Sequence, residues 1–211
     1  MFIVFEGIDG CGKSTQLRLL ADRLHTEGVD VTVTREPFEG SAIGASLRDY
    51  IEGRDKRIYS NRALAYWFAA ARADHNERVI KPLLETDTVI LCDRYVMSSW
   101  VYQGIDTQSK DISEEVYSIN SRFVNPFRTF LIKVDTTEAL RRVNKRSGEK
   151  SIHNALYSEK MDKLDKEYMR LAGYDLHGCV VIDANGSKEQ THNLVYNAYM
   201  TAVEDCFEQT K

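Results

Sequence analysis

Gly7-Ile8-Asp9-Gly10-Cys11-Gly12-Lys13-Ser14 is the stretch on which the fold turns. It fits the pattern G-x-x-x-x-G-K-S/T in full. An apolar run, Phe2-Ile3-Val4-Phe5, precedes it. Leu17, Leu20, Ala21 and Leu24 follow at helical spacing, and Gly28 stands where that helix should stop. Strand, glycine-rich loop and helix in this order make a cradle for a polyphosphate. Glycines let the loop curl so that backbone N–H groups converge on the anion. The helix N-terminus adds the positive end of its dipole. Lys13 supplies a charge for the β- and γ-phosphates, and Ser14 a hydroxyl for Mg²⁺. The candidate ATP-binding residues are therefore Gly7, Ile8, Asp9, Gly10, Cys11, Gly12, Lys13, Ser14 and Thr15. Guanine recognition would call for an N-K-x-D segment. Asn144-Lys145-Arg146-Ser147 begins like one but lacks the aspartate.

Outward from the loop, short apolar runs alternate with helical patterns. Val29 to Thr34 reads as a second strand, Thr88 to Cys92 as a third, Phe130 to Val134 as a fourth and Cys179 to Ile182 as a fifth. Helices are expected over Ser41 to Glu52, from about Ser60 towards Glu85 with Pro82 near its end, around Tyr157 to Leu171, and over Lys188 to Phe207. Such alternation implies a parallel sheet covered on both faces, with right-handed crossovers. The expected fold is a three-layer α/β/α P-loop NTPase with a five-stranded parallel sheet. Residues 1–211 read as one domain, since the sequence contains no repeat or linker.

Composition bounds the function. The chain has 211 residues, 43% of them hydrophobic and 28% charged, and a net charge of -4. That balance argues against a broad nucleic-acid surface. The N-terminal apolar run is too short for a membrane span, and no leader cleavage site follows it. Cys11, Cys92, Cys179 and Cys206 have neither C-x-x-C pairing nor metal-ligand spacing, so they read as free thiols of a cytoplasmic protein.

A second set of residues points to an acceptor. Asp93, Arg94 and Tyr95 end the third strand, where an aspartate beside the loop can face a metal and an arginine can clamp a second phosphate. Arg35-Glu36-Pro37 closes the second strand, and Phe68 and Arg72 share a helix face. Ser99, Tyr102, Gln103 and Gly104 come next. Together with Phe5 to Gln16 and Ile80-Lys81-Pro82, and in this order, these pieces closely resemble the thymidylate kinases.

The resemblance implies transfer of the γ-phosphate of ATP to dTMP, with Mg²⁺ as cofactor, a mobile lid over about residues 141–155, and a homodimer packed through helices that flank the sheet. Trp67 and Trp100 are possible dimer contributors, although core burial explains both more simply. Phe68 would stack on the pyrimidine. Arg72 would donate to thymine O4, where cytosine carries an amine. Ser99 and Gln103 would meet the other ring edge. Tyr102 would pack under the deoxyribose, Arg94 and Arg48 would hold the acceptor phosphate, and Asp9 would sit near the sugar and the metal. Ser14 and Asp93 are the candidate metal ligands, and Glu36 belongs to the substrate pocket.

The sequence departs from the family at two places. Gly10 excludes an arginine inside the loop, and Glu149-Lys150-Ser151 stands where a lid arginine is usual, so Arg146 or Lys150 is expected to serve the transferring phosphoryl group. Glu39 occupies a position that is arginine in eukaryotic members and cannot bind a phosphate, which implies a rearranged acceptor pocket. Three other readings stay open. One is a deoxynucleoside kinase, with Glu36 as base. Another is a kinase for a modified pyrimidine monophosphate. The third is a P-loop switch protein without phosphotransfer. Asp183-Ala184-Asn185-Gly186 is an adenine-loop candidate by position alone.

Overall fold

The computed structural model describes residues 1–105, 110–147, 154–174 and 177–209. Its centre is the strand that leads into the glycine-rich loop. β1, Phe2–Glu6, is buried along its whole length and lies between β3, Val89–Asp93, and β4, Arg128–Lys133. The sheet order is β2-β3-β1-β4-β5, all parallel, with β2 at Val31–Arg35 and β5 at Cys179–Asp183. Five parallel strands with helices on both faces give the three-layer α/β/α architecture expected from the alternation. The chain passes from β1 out to β2 on one side, and later to β4 on the other. The crevice at the carboxyl ends of β1 and β3 is therefore the topological switch point, where open α/β sheets bind ligands.

α1, Lys13–Thr26, buries Leu17, Leu20, Ala21 and Leu24 and packs against the sheet beside α9, Lys188–Gln209. The opposite side carries α3, Asn61–His75, α5, Val96–Ile105, and α8, Asn154–Ala172. α2, Ala42–Ile51, leans on α3. Both α2 and α3 open on serine caps: Ser41 Oγ accepts from the Gly44 amide and Ser60 Oγ from the Ala63 amide.

Several boundaries differ from the expected ones, and each has a local cause. β2 starts at Val31 because the Val29 amide turns back to the Leu24 carbonyl of α1, at 2.9 Å, past Gly28 at φ 80°. Val33 is 48% exposed because β2 is an edge strand. β4 begins at Arg128, which pairs with Ile3, two residues before its apolar run. The helix expected from Ser60 to Glu85 is α3, a π-turn at Asn76–Ile80, and α4, Lys81–Leu84. The turn widens just ahead of Pro82, which has no amide to donate. Asn76 fills the gap: its Nδ2 donates to the Arg72 carbonyl at 2.9 Å, and its Oδ1 accepts from Tyr95 Oη and the Val124 amide.

α6 spans Lys110–Asn120 and α7 spans Thr136–Ser147. Residues 148–153 of the expected lid, including Lys150, lie outside the described residues, and residues 154–155 open α8. No disulfide joins the four cysteines, and Cys11 and Cys92 are buried. Trp100, 6% exposed, is a core residue stacked near Tyr117 and His177. Trp67 is half-buried against Tyr50 and Tyr59. Among the described residues, no helix is long and apolar enough to cross a membrane.

Candidate active site

The loop after β1 can take its shape only with glycine at two positions. A Cβ on Gly7, at φ 137°, would lie 2.6 Å from the Ile132 carbonyl oxygen of β4. A Cβ on Gly10, at φ 81°, would lie 2.3 Å from the Ala139 carbonyl oxygen of α7. Position 10 has no room for any side chain, which excludes a loop arginine there on steric grounds. The Ile8 and Cys11 side chains are core, at 2% and 0% exposure, so these residues can face a ligand only through their backbone. Burial also pushes the Cys11 thiol up from its ordinary pKa.

Gly10, Gly12, Lys13, Ser14 and Thr15 line a cavity of 470 Å³ at the switch point. The first amides of α1 have no intrahelical partner and give this wall its donor character. Facing them around the cavity are Arg18, Arg35, Arg48, Arg94, Arg142 and Arg146, with Asp9, Glu36 and Asp93 as the acidic members. Among the described residues, seven cationic side chains against three carboxylates make a strongly positive chamber. Lys13 is 7% exposed, with Nζ 3.9 Å from Asp9 Oδ1. Ser14 Oγ donates to Asp93 Oδ2, so the two residues expected to hold a metal touch each other.

A second cavity of 250 Å³ opens beside the first and is mainly apolar. Phe68, Pro37, Ile51, Tyr95 and Tyr102 give it faces for a flat ring, and Ser99, Gln103 and Arg72 give it polar points. Gln103 Oε1 is buried without a hydrogen-bond partner, so it lacks a donor. The two cavities share four residues: Asp9, Glu36, Arg48 and Arg94.

Arg94 is the hinge of this arrangement. Its backbone sits at φ 71°, in the left-handed region, directly after β3. The guanidinium donates to Asp9 Oδ1 at 2.5 Å, Ser98 Oγ at 3.0 Å, Tyr168 Oη at 3.1 Å and Tyr102 Oη at 3.3 Å. Its carbon lies 5.1 Å from the Tyr102 ring centroid. Burial opposes its charge, but Tyr102, Tyr168, Asp9 and Glu6 outweigh it and raise the Arg94 pKa well above the usual arginine value. Burial likewise works against the Asp9 carboxylate, yet Arg94 and Lys13 hold that group below the ordinary aspartate value. Burial also raises the Tyr102 hydroxyl, which stays protonated.

Glu6, missed in the sequence, supports Arg94 from below. It is 0% exposed and accepts from the Tyr95 and Ser98 amides at 2.8 and 3.0 Å, from Ser98 Oγ at 2.6 Å and from Tyr168 Oη at 3.1 Å. It thus caps the start of α5 and ties β1, β3 and α8 together. Burial raises its pKa, and Arg94 counters that rise. An acidic residue closing an otherwise apolar strand was the available signal.

Arg72 lines the base cavity and is also heavily engaged within the protein. It is 1% exposed, and each guanidinium nitrogen already has a protein partner. Nε donates to Glu36 Oε2 at 2.7 Å, Nη1 to Ser99 Oγ at 3.0 Å and to Asn120 Oδ1, and Nη2 to the Tyr95 carbonyl at 3.2 Å. Reaching a base oxygen would require it to trade one of these bonds. Glu36 is tied on its other oxygen to His75 Nδ1, at 3.3 Å. Arg48 Nη2 donates to the Glu36 and Pro37 carbonyls at 3.2 and 3.4 Å.

From the basic run of α7, Arg146 lines the first cavity, and so does Arg142, which sequence reasoning did not single out. Arg142 reaches the Cys11 carbonyl at 3.4 Å. Arg141 pairs with Glu138 on the solvent side and Lys145 is exposed, as a solvated helix face requires. The adenine-loop candidate is not among the residues lining either cavity. Asn185 instead braces the start of α7, with Oδ1 accepting from the Asp135 amide at 2.9 Å.

Comparison with known proteins agrees with this geometry. The family model described as thymidylate kinase matches residues 5–195. The chain is similar to the thymidylate kinase of Citrifermentans bemidjiense, at 37% identity over 207 residues, covering 93% of this chain and 90% of that one. It is similar to the thymidylate kinase of Bradyrhizobium sp., at 35% over 202 residues, covering 93% and 88%. The thymidylate kinase of Symbiobacterium thermophilum is 36% identical over 192 residues, covering 90% and 88%.

Proposed function

The chain belongs to the thymidylate kinase family, and on that premise we propose that it transfers the γ-phosphate of ATP to the 5′-phosphate of dTMP through the two adjoining cavities. The observation that carries the reading is their shared wall. A cationic chamber beside Lys13 and a mainly apolar chamber beside Phe68 meet at Arg94, Arg48, Asp9 and Glu36. A nucleotide whose base lies against Phe68 and Tyr102 would present its phosphate at that wall, facing a triphosphate on the loop. In-line transfer then depends on holding the two anions together and stabilising the charge that passes between them. The acceptor oxygen is already anionic at neutral pH, so no general base is required.

The roles follow from chemistry. Lys13 and the loop amides hold the donor phosphates, and Arg94 and Arg48 hold the acceptor phosphate. Arg146 and Arg142 approach the donor from α7. Gln103 Oε1, which lacks a donor, suits the N3–H of thymine, whereas N3 of cytosine is itself an acceptor. Arg72 acts mainly by fixing Ser99 and Glu36 against the base cavity. Tyr102 packs near the sugar.

The Ser14 hydroxyl and Asp93 carboxylate are hard oxygen donors in contact with each other at the donor chamber. Mg²⁺ is commonly held by one or two such groups together with substrate phosphates, so this pair fits it. When bound, Mg²⁺ neutralises phosphate charge. A homodimer through helices flanking the sheet belongs to the same reading, with Trp67 available for it.

The deoxynucleoside kinase alternative needs a carboxylate free to take a hydroxyl proton. Both Glu36 oxygens are engaged, by Arg72 and His75, which speaks against it. An ADP-release assay over a panel of acceptors tests the proposal. dTMP should support rapid turnover, dUMP slower turnover, and dCMP and thymidine turnover lower by about 10²-fold or more, in line with losses when buried polar groups go unpaired. Equal rates for dTMP and thymidine, or ATP turnover indifferent to every acceptor, would refute it.

A further inference from the structure

A carboxylate, Glu39, pairs with two arginines that line the cationic chamber. Its Oε1 is 3.1 Å from Arg48 Nε and also takes Nη2 of Arg35. A carboxylate between two guanidinium groups offers them the charge and the oxygens of a bound phosphate. Arg48 is held independently through its bonds to the Glu36 and Pro37 carbonyls, so it keeps its place when Glu39 leaves. Arg48 also needs an anion nearby: burial and the neighbouring Arg35 both lower its pKa. Glu39 is free to swing away, since its side chain is 41% exposed and Arg35 is 57% exposed. The Arg35 pair is exposed, and such pairs are individually weak; Arg48 Nε is buried and lies near Glu39 without forming a hydrogen bond to it.

We propose that Glu39 sets acceptor affinity: it is a built-in anion that neutralises Arg35 and Arg48 in the nucleotide-free enzyme and yields them to a ligand bearing a 5′-phosphate. A dianionic phosphate outcompetes one carboxylate for two arginines, and a neutral nucleoside has nothing to displace it with. The glutamate therefore lowers the affinity for a 5′-phosphate and leaves nucleoside affinity unchanged. This inference rests on the reading that Arg48 faces the acceptor phosphate.

The test compares wild type with Glu39→Gln, which keeps size and shape, and with Glu39→Ala. Titration calorimetry without ATP is run against dTMP, thymidine and inorganic phosphate, and KM is measured for dTMP and ATP. Both variants should bind dTMP and phosphate about 3- to 10-fold more tightly, as loss of two weak pairs implies. KM for dTMP should fall, while thymidine affinity and the KM for ATP stay as in wild type. Unchanged phosphate and dTMP affinity would reduce Glu39 to a surface pair and overturn the proposal. Weaker binding would make it a prop for the arginines and overturn it equally. Tighter phosphate binding in the variants, combined with no dTMP binding by any form, would support the proposal while refuting the thymidylate assignment.

Discussion

Replacing Arg94 with alanine is expected to lower kcat/KM for dTMP by about 10³-fold or more, the scale on which arginines at transferring phosphates act. Arg94 belongs to both cavities, and its guanidinium is oriented by four side chains before any ligand arrives. Such preorganisation is what makes an electrostatic group effective in a transition state. The substitution removes the acceptor clamp and, among the described residues, leaves Asp9 only the longer ion pair with Lys13, at 3.9 Å. It also withdraws the cation that offsets the burial of Glu6. Arg94→Lys should recover part of the loss, because it restores the charge but not the fork. Steady-state kinetics with a thermal melt of each variant separates the two contributions. A folded Arg94→Ala protein with kcat/KM within threefold of wild type would remove Arg94 from the site.

Lys13→Ala should act differently. Its side chain is buried in the donor chamber next to Asp9, and among the described residues it is the one lysine lining that chamber. Loss of one well-placed donor to developing charge costs about 10²- to 10³-fold in kcat. Binding of dTMP without ATP should change little, since Lys13 does not line the base cavity. Kinetics and dTMP calorimetry on the same preparation check both halves. A large fall in dTMP affinity, with kcat retained, would mean that Lys13 serves the acceptor side.

Local chemistry carried far in the sequence, and long-range pairing did not. The glycine-rich loop, the apolar strands and the amphipathic helices are properties of neighbouring residues, so they could be read directly. Strand order depends on crossovers and could not. Val29 carries a strand-like side chain, but a helix cap claims its amide. Phe68, Ser99, Tyr102 and Gln103 were found through their motifs and do line one cavity. Arg72 joined them, yet its hydrogen bonds go to Glu36, Ser99, Asn120 and Tyr95, partners that only the folded chain brings near. Arg18 and Arg142 escaped notice, and Arg35 was read only as part of a motif, because a basic residue on a helix or strand end looks the same whether it faces solvent or a phosphate. Glu39 could be recognised as an unusual residue, but its grip on two arginines is a fact of three dimensions.

The central claim is that donor and acceptor phosphates meet between Lys13 and Arg94. A crystal structure with dTMP and a non-hydrolysable ATP analogue tests it most directly. The terminal donor phosphorus should lie about 3–3.5 Å from an acceptor phosphate oxygen, the spacing of a reactive pair, with the thymine against Phe68 and Gln103. A complex with dTMP bound elsewhere, or with its phosphate turned away from Arg94, would contradict the account.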